Sequence, residues 1–160
     1  MNPYQKCPVY ENENYLLRLV EPADNADLLL VYSDEKAVPY FNGDNCHGDD
    51  FHYTTAERME SAIRFWLMNY NYGSFVRWTI LDKNSSRAVG TIELFNRRSA
   101  DYYNNCGLLR LDLHSNYEQT ESIREILSLI LPPAFELFDC QMIATKIRPF
   151  AGCRIDAAES

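Results

Sequence analysis

The stretch LLRLDLHSNYEQTESIREILSLILPPAFELF, residues 108 to 138, constrains the fold more than any other part of the chain. It begins with strict alternation: Leu109, Leu111 and Leu113 share one face of an extended segment, while Leu108, Arg110 and Asp112 share the other. The period then becomes helical, because Ile123, Ile126, Leu127, Ile130, Leu131 and Ala134 fall on one apolar stripe. A polar segment from His114 to Glu121 joins the two. A buried strand that passes through a loop into the first turn of a helix aims several unpaired backbone N–H groups at one point, with the positive end of the helix dipole behind them. Such a corner suits an anion, often a phosphate. A plain β–α connection has the same backbone geometry, so geometry alone does not assign a ligand.

At 160 residues, 46% of them apolar, the chain is expected to form a single domain over residues 1–160 with a substantial core. The formal net charge of −8 shows no basic face, which argues against nucleic acid as a partner. An aromatic content of 13% suits a well-packed domain or a pocket lined with rings. Cys7, Cys46, Cys106, Cys140 and Cys153 are scattered, odd in number and free of C-x-x-C spacing, and so read as reduced thiols of a cytoplasmic protein. No apolar run approaches the ~18–20 residues of a membrane span, and the N-terminus has no signal-like apolar region, so no membrane partner is expected.

Residues 1–13, with Pro3 and Pro8 among polar residues, read as a loose arm. YLLRLV, from Tyr15 to Val20, reads as a strand, and Leu28, Leu29 and Tyr32 mark a short helix after it. Residues 39 to 53 have turn chemistry at Asn42-Gly43 and Gly48-Asp49 and no sustained period. This loop holds Cys46, His47, Asp49, Asp50 and His52, all metal-ligand types, but their spacing matches no known metal-binding motif and no metal is expected. From Thr54 to Tyr70 a capping box of Thr54 and Glu57 opens a helix whose stripe is Met59, Ala62, Ile63, Trp66, Leu67 and Tyr70, and Asn71 and Gly73 close it.

SFVRWTILD and AVGTIELF, joined by the turn KNSSR, form a hairpin, and a third strand starts at Cys106. In the second strand Val89, Thr91, Glu93 and Phe95 are expected on one face and Ala88, Gly90, Ile92 and Leu94 on the other, with Gly90 marking a bulge or a close backbone approach. Trp78 is expected in the core. Pro132-Pro133 predicts a kink or break near Leu131. QMIATKI, residues 141 to 147, is the next strand and GCRIDAAES the start of a helix.

The element order β, α, loop, α, β, β, β, α, β, α resembles that of the GCN5-related N-acetyltransferases, in particular the branch acting on ribosomal proteins and small amines. YLLRLVEPADNADLLLVYSDEKAVPYF is similar to the opening strand and first helix of that family, AVGTIELF to its third strand, LRLDLHSNYEQTESIREIL to its acetyl-CoA corner, and PAFELFDCQMIATKI to the helix end and fifth strand. The resemblance implies an α+β, acyl-CoA N-acyltransferase fold: a central mixed, mostly antiparallel sheet flanked by helices, here with the last two strands absent. An uncovered sheet edge leaves a partner or a homodimer mate as ways to cover it.

It also implies acetyl-CoA as co-substrate and, as acceptor, an amine-bearing small molecule or a protein N-terminus. The backbone of Leu111, Asp112 and Leu113 would hold the pantetheine and the acetyl carbonyl, and Gln119, Thr120, Glu121, Ser122 and Ile123 would hold the pyrophosphate. Glu93 and then His114 are the candidate bases, and Tyr40, Phe41 and His47 would line the acceptor side. The chain departs from the family at several of these places. Glu118 stands at the Arg/Gln position of the phosphate motif, Glu121 at its first Gly, and Ile123 at its last small residue. Ala151 and Ala158 stand where the family often has Asn and the thiolate-protonating Tyr. Two carboxylates facing a polyanion repel it by several kcal/mol (about 4 at ~4 Å) unless Arg124 or Arg154 compensates or the side chains swing into water. These departures favour the alternative, a non-catalytic protein of the same fold that serves as a binding or regulatory domain.

Overall fold

The structure, a computed structural model, describes residues 2–41 and 50–159. Ten elements follow one another: β1 (Tyr10–Glu11), β2 (Tyr15–Leu19), α1 (Asn25–Tyr32), α2 (Ala56–Asn71), β3 (Val76–Asp82), β4 (Arg87–Arg97), β5 (Cys106–Leu113), α3 (Thr120–Leu137), β6 (Met142–Ala144) and α4 (Gly152–Glu159). The strands make one six-stranded sheet in sequence order. Every pairing is antiparallel except the last, where β6 runs parallel to β5.

Both faces of the sheet are covered, with different chemistry. On one face Leu17, Trp78, Ile92, Leu109, Leu111 and Leu113 pack with the α3 stripe of Ile123, Ile126, Ile130 and Ala134. This is the alternation and the period read from the sequence. On the other face lie α1 and α2, with Leu28, Tyr32, Met59, Ile63 and Trp66 buried together. Beneath them the sheet presents buried polar side chains, among them Arg77, Thr91, Glu93 and Asp112. A strand residue whose neighbours in sequence are apolar thus points inward on either face.

The hairpin expected around Gly90 forms with a bulge. The β3–β4 register shifts between Ile80 and Leu81, so Ile80 faces Gly90 while Leu81 faces Ala88 and Val89 is the extra residue. This corrects the expected alternation: Val89 joins Ile92 and Leu94 in the α3-side core. The close approach is real as well, since a Cβ on Gly90 would lie 2.1 Å from the Asp112 carbonyl oxygen.

Three further expectations are corrected. The cap of α2 is Thr55, whose side chain accepts from the Arg58 N–H at 3.1 Å, so the register moves by one from Thr54. Gly73, at φ 75°, ends that helix as foreseen. Helix α3 runs unbroken through Pro132 and Pro133, so of the expected kink or break the break does not occur. Ile130 and Ala134 anchor it on the buried side while Ser128, whose carbonyl loses its ladder partner at Pro132, is exposed to water. The strand expected over 141 to 147 is only Met142–Ala144.

The N-terminal segment is pinned rather than loose. Tyr70 donates its hydroxyl to the Pro3 carbonyl at 2.6 Å and Trp78 its indole N–H to the Pro8 carbonyl at 2.9 Å. Trp78 is fully buried, as expected of a core residue. Among the described residues no helix is long and apolar enough to cross a membrane.

Candidate active site

The corner after β5 is one 3-10 turn, Ser115–Tyr117, followed directly by α3. Most of its N–H groups are satisfied internally. Ser115 N–H donates to Asp34 Oδ2 at 2.9 Å, Asn116 N–H to His114 Nδ1 at 3.1 Å, and Glu118 N–H to the Ser115 carbonyl at 3.1 Å. The α3 ladder begins at Ile123, whose N–H donates to the Gln119 carbonyl at 3.0 Å. Thr120, Glu121 and Ser122 therefore occupy the first turn, where N–H groups lack intrahelical acceptors. Gln119 makes no side-chain cap; its amide turns back to the Asn116 carbonyl at 3.3 Å.

The two carboxylates at this corner leave it by different routes. Glu121, with 80% of its side chain exposed, swings outward and pairs with Arg124 at 2.6 Å. Glu118 turns inward, only 7% exposed, and both its oxygens accept from Arg154 Nε at 2.8 and 2.9 Å. Burial pushes the Glu118 carboxyl above the usual carboxylate range, although Arg154 pulls it back. The compensation that the sequence demanded of Arg124 and Arg154 is in place. Tyr40 joins this group: its ring lies 5.6 Å from that of Phe150 and 5.9 Å from the Arg154 guanidinium.

Beside the corner the sheet opens. β6 pairs only with Cys106, Gly107 and Leu108, and β5 continues from Leu109 to Leu113 with no described strand on that side. Backbone groups along this stretch are the ones a ligand can pair with in the manner of an added strand. The side chains of Leu111 and Leu113 are buried in the α3-side core, whereas Asp112 points to the opposite face, accepting from the Tyr32 hydroxyl at 2.7 Å and from Arg77 at 3.3 Å.

That opposite face holds a cavity of about 790 Å³, floored by Arg77, Glu93 and Arg110 and walled by Trp66, Phe75 and Phe95 among others. Glu93, 4% exposed, is held at Oε1 by Arg77 at 2.9 Å and at Oε2 by Arg110 at 3.2 Å. Arg77 also donates to the Thr91 hydroxyl at 2.7 Å and stacks 4.1 Å above the Trp66 ring. Buried charges at such cost are paired and hydrogen-bonded, and these are.

The structure does not unite the two candidate bases. Glu93 lines the large cavity, while His114 lines a smaller one of about 220 Å³ and is built into the corner. Its Nδ1 accepts from Asn116, leaving Nε2 to face Asp34 at 3.5 Å. Phe41 is buried against Tyr32, with ring centroids 5.1 Å apart, and so belongs to the core. His47, like Cys46 and Asp49, lies outside the described residues. Among the described residues no three His, Cys, Asp or Glu side chains converge as a metal site. Sequence reasoning missed Arg77, Arg110 and Tyr32. The usable signal for the two arginines was a charge at mid-strand in VRWTI and LLRLD, the strands on either side of the one that carries Glu93.

This topology, with its opening between β5 and β6 beside the start of α3, is the acyl-CoA N-acyltransferase fold of the GCN5-related N-acetyltransferases. The solved structures it resembles include RimJ of Mycobacterium smegmatis in complex with CoA-disulfide, with a TM-score of 0.74 at 14% identity over 99% of this chain and 76% of that one. Ribosomal-protein-S5-alanine acetyltransferase of Vibrio fischeri superposes with a TM-score of 0.70 at 17% identity, covering 94% and 81%. A GNAT-family acetyltransferase of Bacillus anthracis gives 0.69 at 14%, covering 95% and 81%. At these identities the likeness is one of fold. No family model matches the sequence, and neither does any curated protein.

Proposed function

We propose that this chain is an acetyl-CoA-dependent N-acetyltransferase acting on a primary amine. The observation that carries the reading is the sheet opening along Leu109 to Leu113 beside an α3 N-terminus whose two carboxylates are both turned aside. The N–H groups of Thr120, Glu121 and Ser122 would hold the pyrophosphate, with the helix dipole behind them. The β5 backbone around Leu111, Asp112 and Leu113 would take the pantetheine and polarise the thioester carbonyl. The CoA complex of the RimJ structure supports this use of the fold.

The acceptor enters from the α2 side, over Glu93. A carboxylate oxygen accepts more than one hydrogen bond, so Glu93 can orient an incoming amine, although each of its oxygens already has a guanidinium partner. Its role is then to position the amine more than to hold a proton. Ala151 is buried and Ala158 has no titratable group, so protonation of the departing thiolate falls to water. The half-buried and buried free thiols suit a reducing, cytoplasmic setting.

One observation favours the non-catalytic alternative: the Glu118–Arg154 pair is buried at the corner and anchors α4 there. Thermal unfolding with and without acetyl-CoA separates the two readings. Ligand at about 100 times its Kd adds ~2.7 kcal/mol to the native state, a shift of a few degrees for a domain this size. A shift with acetyl-CoA, followed by CoA release in the presence of an amine, supports the enzyme. Absence of a shift at millimolar acetyl-CoA removes it and leaves the binding domain.

A further inference from the structure

The cavity under α2 is charged at its floor and apolar at its walls, and its charges already have partners. Arg77, Glu93 and Arg110 are direct cross-strand partners on β3, β4 and β5. Glu93 pairs with Arg77 at 2.9 Å and with Arg110 at 3.2 Å. Arg97 is held by Asp101 at 2.8 Å, and Arg58 lies 4.3 Å over the Tyr53 ring. The walls are Phe65, Trp66, Phe75, Phe95 and Leu108. Phe95 and Leu108 are a direct pair on β4 and β5, next along the same face from Glu93 and Arg110. Phe65, on α2, lines the space yet is 54% exposed. Apolar side chains held open to water beside one carboxylate are surface that a ligand can bury. The backbone around them is already used: α2 is bonded within itself, and β3 and β4 are paired on both sides.

Resting on the acetyltransferase reading, we infer that the acceptor is a small primary amine with a bulky, apolar and uncharged body, of the arylalkylamine kind. Its nitrogen goes to Glu93, whose oxygens have lone pairs beyond those given to the guanidinium partners. Its ring lies against Phe65, Phe75, Phe95 and Leu108. A second ammonium on the molecule would stand among four guanidinium groups. A carboxylate would have to draw one of those groups away from Glu93 or Asp101. The cavity therefore selects by apolar area. An extended peptide finds no unpaired backbone on α2, β3 or β4 to dock along, which sets a free amine apart from a polypeptide N-terminus. A volume of about 790 Å³ takes such a molecule with room for the acetyl thioester. The nearby guanidinium groups favour loss of one proton from the ammonium to water. The neutral nitrogen then attacks the thioester carbonyl carbon, the C–N bond forms and the C–S bond breaks. The second proton shed by nitrogen ends on the CoA sulfur, leaving an N-acetylated amine and free CoA.

Calorimetric titration of the full chain with phenethylamine, ethanolamine, putrescine and L-phenylalanine tests this, with acetyl-CoA titrated separately. Phenethylamine should bind at least about tenfold more tightly than each of the other three, which lack the apolar body, add an ammonium or add a carboxylate. Phe65→Ser should weaken phenethylamine at least about threefold with the unfolding midpoint unchanged, and Phe95→Ser should weaken it by at least as much. The inference is overturned if any of the three comes within that tenfold, if phenethylamine does not bind, or if both variants keep the full affinity. It is also overturned if an amidated tripeptide beginning with phenylalanine binds better than phenethylamine does. If phenethylamine shows the preference while acetyl-CoA does not bind, acetyl transfer is what fails and the ligand class of the cavity stands. If acetyl-CoA binds and ethanolamine is acetylated as fast as phenethylamine, acetyl transfer stands and the apolar selection is wrong.

Discussion

Two residues show how little freedom the sheet leaves. Gly90 sits where β4 crosses β5 so closely that a methyl group would stand 2.1 Å from the Asp112 carbonyl oxygen, which is backbone and cannot swing aside. Gly90→Ala must therefore move one strand against the other, at a cost of about 1–3 kcal/mol or more. A urea titration showing less than about half a kcal/mol of loss would contradict the packing at this point. Asp24 is a different kind of constraint. Burial works to raise its pKa, but hydrogen bonds from Arg18, from the Thr79 hydroxyl and from the Glu21 N–H outweigh that and hold the carboxyl below the usual carboxylate range. A depressed carboxyl contributes stability that is present above its unfolded pKa and lost as pH falls through the folded one. Asp24→Asn should accordingly be less stable than the wild type at pH ~7, with the gap closing as pH is lowered from about 4. A gap that stays constant down to acid would mean that Asp24 serves only as a hydrogen-bond acceptor.

At the scale of the element, α3 decides whether local rules or packing prevail. Two adjacent prolines remove the N–H donors to Ser128 and Leu129, yet the helix runs continuously to Leu137 because Ile126, Ile130 and Ala134 bury one unbroken stripe. If the prolines only cost the helix and shape nothing, Pro132→Ala should restore a ladder bond and stabilise the chain by about 1–3 kcal/mol, read as a higher urea midpoint. Destabilisation would show instead that the bound geometry needs proline there. The same contrast explains what was legible in advance. Leu109, Leu111 and Leu113 alternate, and α3 keeps its period, because burial acts on each of those residues in its own element. The cap at Thr55 was one residue off because Thr54 and Thr55 present the same chemistry and only the helix path separates them. Val89 changed sides because a bulge is a property of two strands. That Arg77 and Arg110 share one buried face was not legible, since covering that face with α1 and α2 is a matter of topology that no single strand encodes.

At the scale of the whole molecule, one buried pair ties the corner to the last described helix. Glu118 belongs to the corner and Arg154 to α4, and their contact fixes the last described helix against the place where a phosphate ligand would dock. The Arg154 Nη2 atom is buried without a partner, so the pair is an imperfect stabiliser. Arg154→Met alone leaves a buried carboxylate without its cation, at a cost of about 3–5 kcal/mol. The cost depends on pH in a fixed direction. Burial already raises the Glu118 pKa, and without Arg154 nothing pulls it back, so the folded pKa lies above the unfolded value. A group raised in this way favours the folded state below the unfolded pKa and loses that contribution as pH rises through the folded one. The deficit of Arg154→Met should therefore be small near pH ~4 and grow toward neutrality, as measured by urea midpoints across that range. Replacing both partners, Glu118→Leu with Arg154→Met, should bring stability back to within about 1 kcal/mol of the wild type, since isosteric apolar pairs replace buried ion pairs at little cost. Acetyl-CoA then reads the consequence for function. Because this variant removes one negative and one positive charge together, the net charge at the corner does not change, and it should bind acetyl-CoA about as tightly as the wild type does. Weaker binding in a stably folded double variant would mean that the pair is part of the ligand site itself.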